Sequence, residues 1–199
     1  MSARIDKVLR HLRALVAFDT QNPPRQIDPS GLFSYLTDQL DGFECQLDDL
    51  GDGCINLLAV RGQPRILFNF HIDTVPASAQ WESDPLRLQV ENGRATGLGA
   101  CDIKGAAACM LAAVADSPGD VALLFSSDEE AGKSRCIHHF LEHAPEFDGV
   151  VVAEPTRAQA VLAHRGIASG RLQFTGHAGH ASDSRAMTDS AIHRAVRWA

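Results

Sequence analysis

Apolar and polar positions along this chain follow two periods. Residues 3–18, ARIDKVLRHLRALVAF, place apolar side chains every three to four positions and predict an amphipathic helix from Ala3 to Phe18. Gln21-Asn22-Pro23-Pro24 breaks it. A second helix is expected over Gly31–Leu40, with Ser30 as its N-cap. Short strand-like runs follow at Cys45–Leu50 and Ile55–Val60, and the strongest at Arg65–Phe70, which contains Ile-Leu-Phe-Asn-Phe. The Ala-rich stretch Ala106–Ala115 predicts a buried helix. Val121–Ser126 reads as an apolar strand, Arg135–His143 as a helix closed by Pro145, and Gly149–Ala153 as another apolar strand. Helices alternating with uniformly apolar strands indicate an α/β fold: a mixed, largely parallel sheet covered by helices on both faces.

The texture changes after Pro155. Ala160–Phe174 has β character without continuous apolar runs, Gly176–Ser184 is a loop rich in Gly, His and Ser, and Thr188–Ala199 looks helical. The expected division is therefore residues 1–165 and residues 166–199. The formal net charge of −7 argues against nucleic acid or an anionic membrane as a partner. No apolar run approaches the roughly 20 residues that span a bilayer. The charged first helix lacks the core and cleavage site of a signal peptide, so a cytoplasmic location is expected. Five cysteines, an odd number without a CxxC pair, read as reduced thiols that mostly fill the core.

Chemistry concentrates in four segments, each at or soon after a strand end: Phe70-His71-Ile72-Asp73, Gly97-Leu98-Gly99-Ala100-Cys101-Asp102, Ser127-Asp128-Glu129-Glu130 and Ala153-Glu154-Pro155. Ligands of open α/β sheets collect outside the carboxyl ends of the strands. Several carboxylates in one crevice repel each other, and a divalent cation resolves that conflict. His71 and Asp73, two apart in extended chain, face the same side, so Asp73 can orient the imidazole. Taken singly, each segment also has a plainer reading. HxD suits a solvated strand end, Asp102 a helix cap, Glu129-Glu130 an acidic loop, and Glu154 a cap or exposed strand end. Four such segments together are hard to attribute to solubility.

With HIDTVP, GLGACDIKG, SSDEE and AEPT in this order, the sequence resembles the zinc aminoacylase and carboxypeptidase-like metallohydrolases. GLG, AEPTRAQAVLAHRG and GHAGHAS are most similar to the branch acting on acetylornithine and acetylcitrulline. The resemblance implies a zinc-peptidase-like catalytic domain followed by the start of an inserted α+β lid and dimerisation domain. It implies that His71 and Glu154 hold one zinc, Glu130 a second, and Asp102 both. Asp73 would orient His71, Glu129 would be the general base, and His180 would stabilise the substrate oxyanion, often from a partner subunit in a homodimer. Cobalt or manganese could replace zinc in so carboxylate-rich a site. His138, His139, His143 and His177 are assigned no role.

The implied activity is hydrolysis of the amide of a small N-acyl, chiefly N-acetyl, amino acid in arginine biosynthesis. The alternatives are succinyl-diaminopimelate desuccinylase or a related aminoacylase or peptidase, and a non-catalytic binding module. Family members continue into a further metal-ligand histidine, so these 199 residues alone are expected to bind about one metal and to turn over little. Two tightly bound metals with near-native rates would instead mean that a histidine of this chain, such as His164 or His177, replaces the missing ligand.

Overall fold

The apolar run before His71 forms an interior strand of a five-stranded sheet. The structure is a computed structural model that describes residues 3–24, 27–132, 134–163, 165–166 and 170–199. The strands of the sheet are β1 (Glu44–Asp49), β2 (Ile55–Arg61), β3 (Ile66–His71), β6 (Val121–Ser126) and β7 (Gly149–Val152). Their order is β1-β2-β6-β3-β7. β3 pairs in parallel with β6 and β7, whereas β2 is antiparallel to both β1 and β6. Four strands thus run one way and β2 alone opposes them, the mixed, largely parallel α/β sheet expected from the sequence. A separate hairpin, β4 (Gln89–Glu91) with β5 (Arg94–Thr96), was not signalled by its short, mostly polar strands.

Helices cover both faces. α1 (Ala3–Ala17) and α3 (Lys104–Asp116) pack together, and Leu12, Leu15, Leu111 and Val114 share one core with Leu57, Phe70, Leu123 and Phe125. The intervening strand residues Leu67, Ala122 and Leu124 point the other way, where Ile137 and Phe140 of α4 (Arg135–His143) cover them. Phe70 and Phe125 stack at 5.3 Å between ring centroids on adjacent strands. The chain passes from β3 through α3 to β6, then through α4 to β7 on the far side of β3. This reversal of winding opens a crevice at the carboxyl ends of β3, β6 and β7.

Several local expectations change. The second helix begins as a π-helical turn, Pro29–Phe33, before α2 (Ser34–Asp38), and its cap is Asp28, whose carboxylate accepts from the Ser30 amide. The helix starts at Pro29, so Ser30 lies inside its first turn and Asp28 occupies the cap position. Val150, Val151 and Val152 form an apolar strand as expected, yet they are exposed, because β7 is the edge of this sheet. Only Cys54 and Cys136 are buried; Cys45, Cys101 and Cys109 are exposed. Burial pushes the Cys136 thiol up to about 12.

The chain divides into two compact units, Met1–Gln159 and Ala160–Ala199. In the second, no strand forms among the described residues of Ala160–Phe174, where Leu162 is fully open to solvent. β propensity needs a ladder partner, and no described neighbour supplies one. The expected C-terminal helix is two helices, α5 (Ser184–Asp189) and α6 (Ala191–Trp198). Ser190 separates them by taking an extended conformation and capping α6 through the His193 amide. No helix among the described residues is long and apolar enough to cross a membrane.

Candidate metal centre

His71 is the last residue of β3, and its ring is nearly closed to solvent. Its two nitrogens face different partners. Nδ1 lies 3.1 Å from the Asp73 carbonyl oxygen and 3.6 Å from Asp73 Oδ1. Nε2 lies 3.1 Å from Asp102 Oδ1 and 3.6 Å from Glu154 Oε1. An Nδ1–H donated to a carbonyl leaves the neutral ring with its Nε2 lone pair aimed at two carboxylates, the tautomer a metal ligand requires.

The carboxylates arrive from separate elements. Glu154 follows β7, and Glu129 and Glu130 lie in the turn after β6. Asp102 departs from the expected pattern, since no strand of the main sheet precedes it. It sits in the loop between the small hairpin and α3. It does not cap α3 either: Ile103 takes the cap position, and no side-chain cap bond is made. The loop reaches the site because Gly105 lets α3 start close against it; a Cβ there would lie 2.3 Å from the Ala100 carbonyl oxygen.

Among the described residues two donor sets result, each with its ligand atoms within 4.8 Å of one another: His71, Asp102 and Glu154, and His71, Glu129 and Glu130. The imidazole forms the floor, while the Asp102 and Glu154 side chains, 49% and 42% exposed, form the rim. Glu129 and Glu130, expected to diverge, both face His71 because their turn wraps the Asp73 carboxylate. Asp73 Oδ1 accepts from the Glu129 amide (3.2 Å), and Oδ2 accepts from the Glu130 amide (2.9 Å).

The electrostatics match a cation site. Burial disfavours a charged His71, but Asp73, Asp102 and Glu129 outweigh it and raise the imidazole to about 9. Burial, opposed by His71 and aided by neighbouring carboxylates, raises both Glu130 and Glu154 above the usual glutamate value. Crowded oxygens that retain protons, around an imidazole that gains one, have the charge pattern a divalent cation would relieve. One imidazole with several carboxylates suits zinc, cobalt or manganese.

His180 belongs to the second unit, where its Nδ1 lies 2.9 Å from Ser182 Oγ. His138 and His143 are exposed, as is His177, while His139 is half-buried, 3.6 Å from Asp48. His164 falls outside the described residues. Lys104 carried no role in the sequence, although it is a cation two residues from Asp102 in an otherwise acidic constellation. It is fully buried and donates to the Phe18 carbonyl (3.1 Å). Burial lowers it to about 7 despite the opposing pull of Asp19 and Asp73.

Residues 67–197 match the family model described as peptidase family M20/M25/M40. The chain belongs to this family. Over its full length it is 52% identical to an N-acetyl-L-citrulline deacetylase of Xanthomonas campestris pv. campestris, covering 54% of that protein. It is 30% identical to a succinyl-diaminopimelate desuccinylase of Rickettsia akari, over 86% of this chain and 51% of that one. Among solved structures, a di-peptidase from Saccharomyces cerevisiae superimposes with a TM-score of 0.60 at 17% identity, over 86% of this chain and 41% of its own. The chain thus spans about half the length of the curated M20/M25/M40 relatives it matches.

Proposed function

We propose that the protein to which these residues belong hydrolyses the amide bond of an N-acyl amino acid, with N-acetylcitrulline and N-acetylornithine as first candidates. The observation that carries this reading is the meeting of His71, Asp102 and Glu154 at one point, with Glu129 and Glu130 facing the same imidazole. The 52% identity to an N-acetyl-L-citrulline deacetylase supports the substrate class, and such an activity belongs with arginine biosynthesis in the cytoplasm. His71, Asp102 and Glu154 would hold one zinc ion, and Glu130 a second, for which the family resemblance also names Asp102. A divalent cation held there supplies Lewis acidity toward water and toward the scissile carbonyl oxygen.

The chain's own groups supply the proton chemistry. Glu129, at the solvent side of the turn, accepts a proton from the attacking water and delivers it to the departing amine nitrogen. The product is a free carboxylate and a protonated α-amine. His71 keeps its Nδ1–H on the Asp73 carbonyl throughout, so the ring neither rotates nor changes tautomer. His180 would be the group that stabilises the developing oxyanion on the strength of the family resemblance alone, which also implies pairing of two subunits through the lid.

Assay of the full-length protein against acetylcitrulline, acetylornithine and succinyl-diaminopimelate tests the reading. Release of acetate from the first two is expected. Cleavage of succinyl-diaminopimelate alone, the reading favoured by the 30% relative, would overturn the choice of acyl group.

A further inference from the structure

Asn22 lies outside every helix and strand, in the Gln21–Pro24 run that ends the first helical pattern, yet it is 2% exposed. The segment that carries it runs beside the end of β3. The Thr74 amide donates to the Thr20 carbonyl (2.9 Å), the Asn22 amide donates to the Thr74 carbonyl (2.8 Å), and Gln21 forms a parallel bridge with Thr74. Lys104 ties the same strap at the Phe18 carbonyl.

The Asn22 side chain uses Nδ2 twice. It donates to Asp73 Oδ2 (3.0 Å) and to the Ser127 carbonyl (3.3 Å). It therefore joins the residue two past His71 to the residue that opens the Glu129-Glu130 turn. Asp73 is a completely buried carboxylate that accepts from Asn22 and from the amides of Glu129 and Glu130. With Oδ2 shared between Asn22 and Glu130, the carboxylate is held so that Oδ1 takes the Glu129 amide and faces His71. A primary amide suits this place because it offers two N–H groups and no charge. A carboxylate of the same shape would set oxygen against oxygen at 3.0 Å.

We infer that Asn22 is a positioning residue of the metal centre: by orienting Asp73 and holding the Ser127 carbonyl, it presents Glu129 and Glu130 to the same point as His71. The inference rests on the metallohydrolase reading for its readout. Partners of this kind, one shell beyond the ligands, change metal affinity by about 10- to 100-fold when removed.

The test uses the full-length protein, with zinc affinity measured by chelator competition, the visible spectrum of the cobalt-loaded form, and thermal unfolding. Asn22→Asp and Asn22→Leu are expected to weaken zinc about 10- to 100-fold, to shift the cobalt bands, and to lower kcat with KM within about twofold. Gln21→Ala removes strap contacts to the Ala77 amide and Asp19 but none to Asp73, and should leave zinc affinity and spectrum unchanged. Folded Asn22 variants with native affinity and spectrum would overturn the inference, as would an equal loss in Gln21→Ala, which would make the strap mere scaffold. If Asn22→Asp and Asn22→Leu fail to melt cooperatively, Asn22→Ser decides by the same two measurements. His71→Ala separates the two readings: zinc binding that survives it removes the metal centre itself, whereas its loss leaves Asn22 to stand or fall on its own variants.

Discussion

His71 has an imidazole at the floor of a ring of carboxylates, and its protonation sets the pH behaviour of the site. In the metal-free protein the ring holds its proton up to about pH 9, above its ordinary value of 6.5. A metal must displace that proton, so binding between pH 6 and 9 releases one and strengthens about tenfold per pH unit. Affinity should level off above pH 9. Chelator competition across that range, with proton release followed in two buffers, checks this. A flat profile would show that the ring is neutral before metal arrives.

Glu129 and Glu130 are adjacent and share the Asp73 carboxylate through their amides, yet they should respond differently. Glu129→Gln in the full-length protein should cut turnover about 10²–10⁴-fold with metal content nearly unchanged. Glu130→Gln should lose metal first. Atomic absorption beside kcat separates the two, and near-normal rates in Glu129→Gln would move the base elsewhere.

At the level of elements, the start of α3 is the closest-fitted part of the site. Gly99 and Gly105 bracket the loop that carries Asp102, and the Lys104 amide returns to the Gly99 carbonyl at 2.9 Å. A methyl group at Gly105 has to push the Ala100 carbonyl away, and Asp102 is only two residues further on. Gly105→Ala should therefore weaken zinc at least about tenfold, although alanine favours helix more than glycine does. Unchanged zinc affinity would mean that the loop adjusts without moving Asp102. The Arg61 side chain secures the other end of α3, with bonds to the carbonyls of Val114, Ser117 and Gly119 and its guanidinium stacked 4.5 Å over Phe43. It ties the end of α3 and the following loop to the end of β2.

For the molecule as a whole, the site exists because β6 and β7 flank β3 while the helices that follow β3 and β6 cover opposite faces. His71, Glu130 and Glu154 come from segments that follow three different strands, so cations held by them link three parts of the sheet. Zinc at about 100 times its Kd should stabilise the fold by about 2.7 kcal/mol. A rise in Tm that chelator reverses and His71→Ala lacks is the expected result. Equal stabilisation of His71→Ala would place the bound zinc elsewhere.

The sequence by itself determined the alternation of helices and apolar strands, because periodicity and apolar runs are local properties. It also marked His71, Asp102, Glu130 and Glu154 through their motifs, and the match over residues 67–197 agrees with the family those motifs suggested. Only the tertiary structure decided what depends on separated segments. The hairpin β4–β5, the exposed edge at Val150–Val152 and the lack of strands in the described part of Ala160–Phe174 follow from pairing partners, which no local pattern reveals. Asn22 and Lys104 were unreadable for the same reason. Their partners, at Asp73, Ser127 and Phe18, lie 51 to 105 residues away in sequence, and only the fold brings an ordinary amide and an ordinary lysine to those buried contacts.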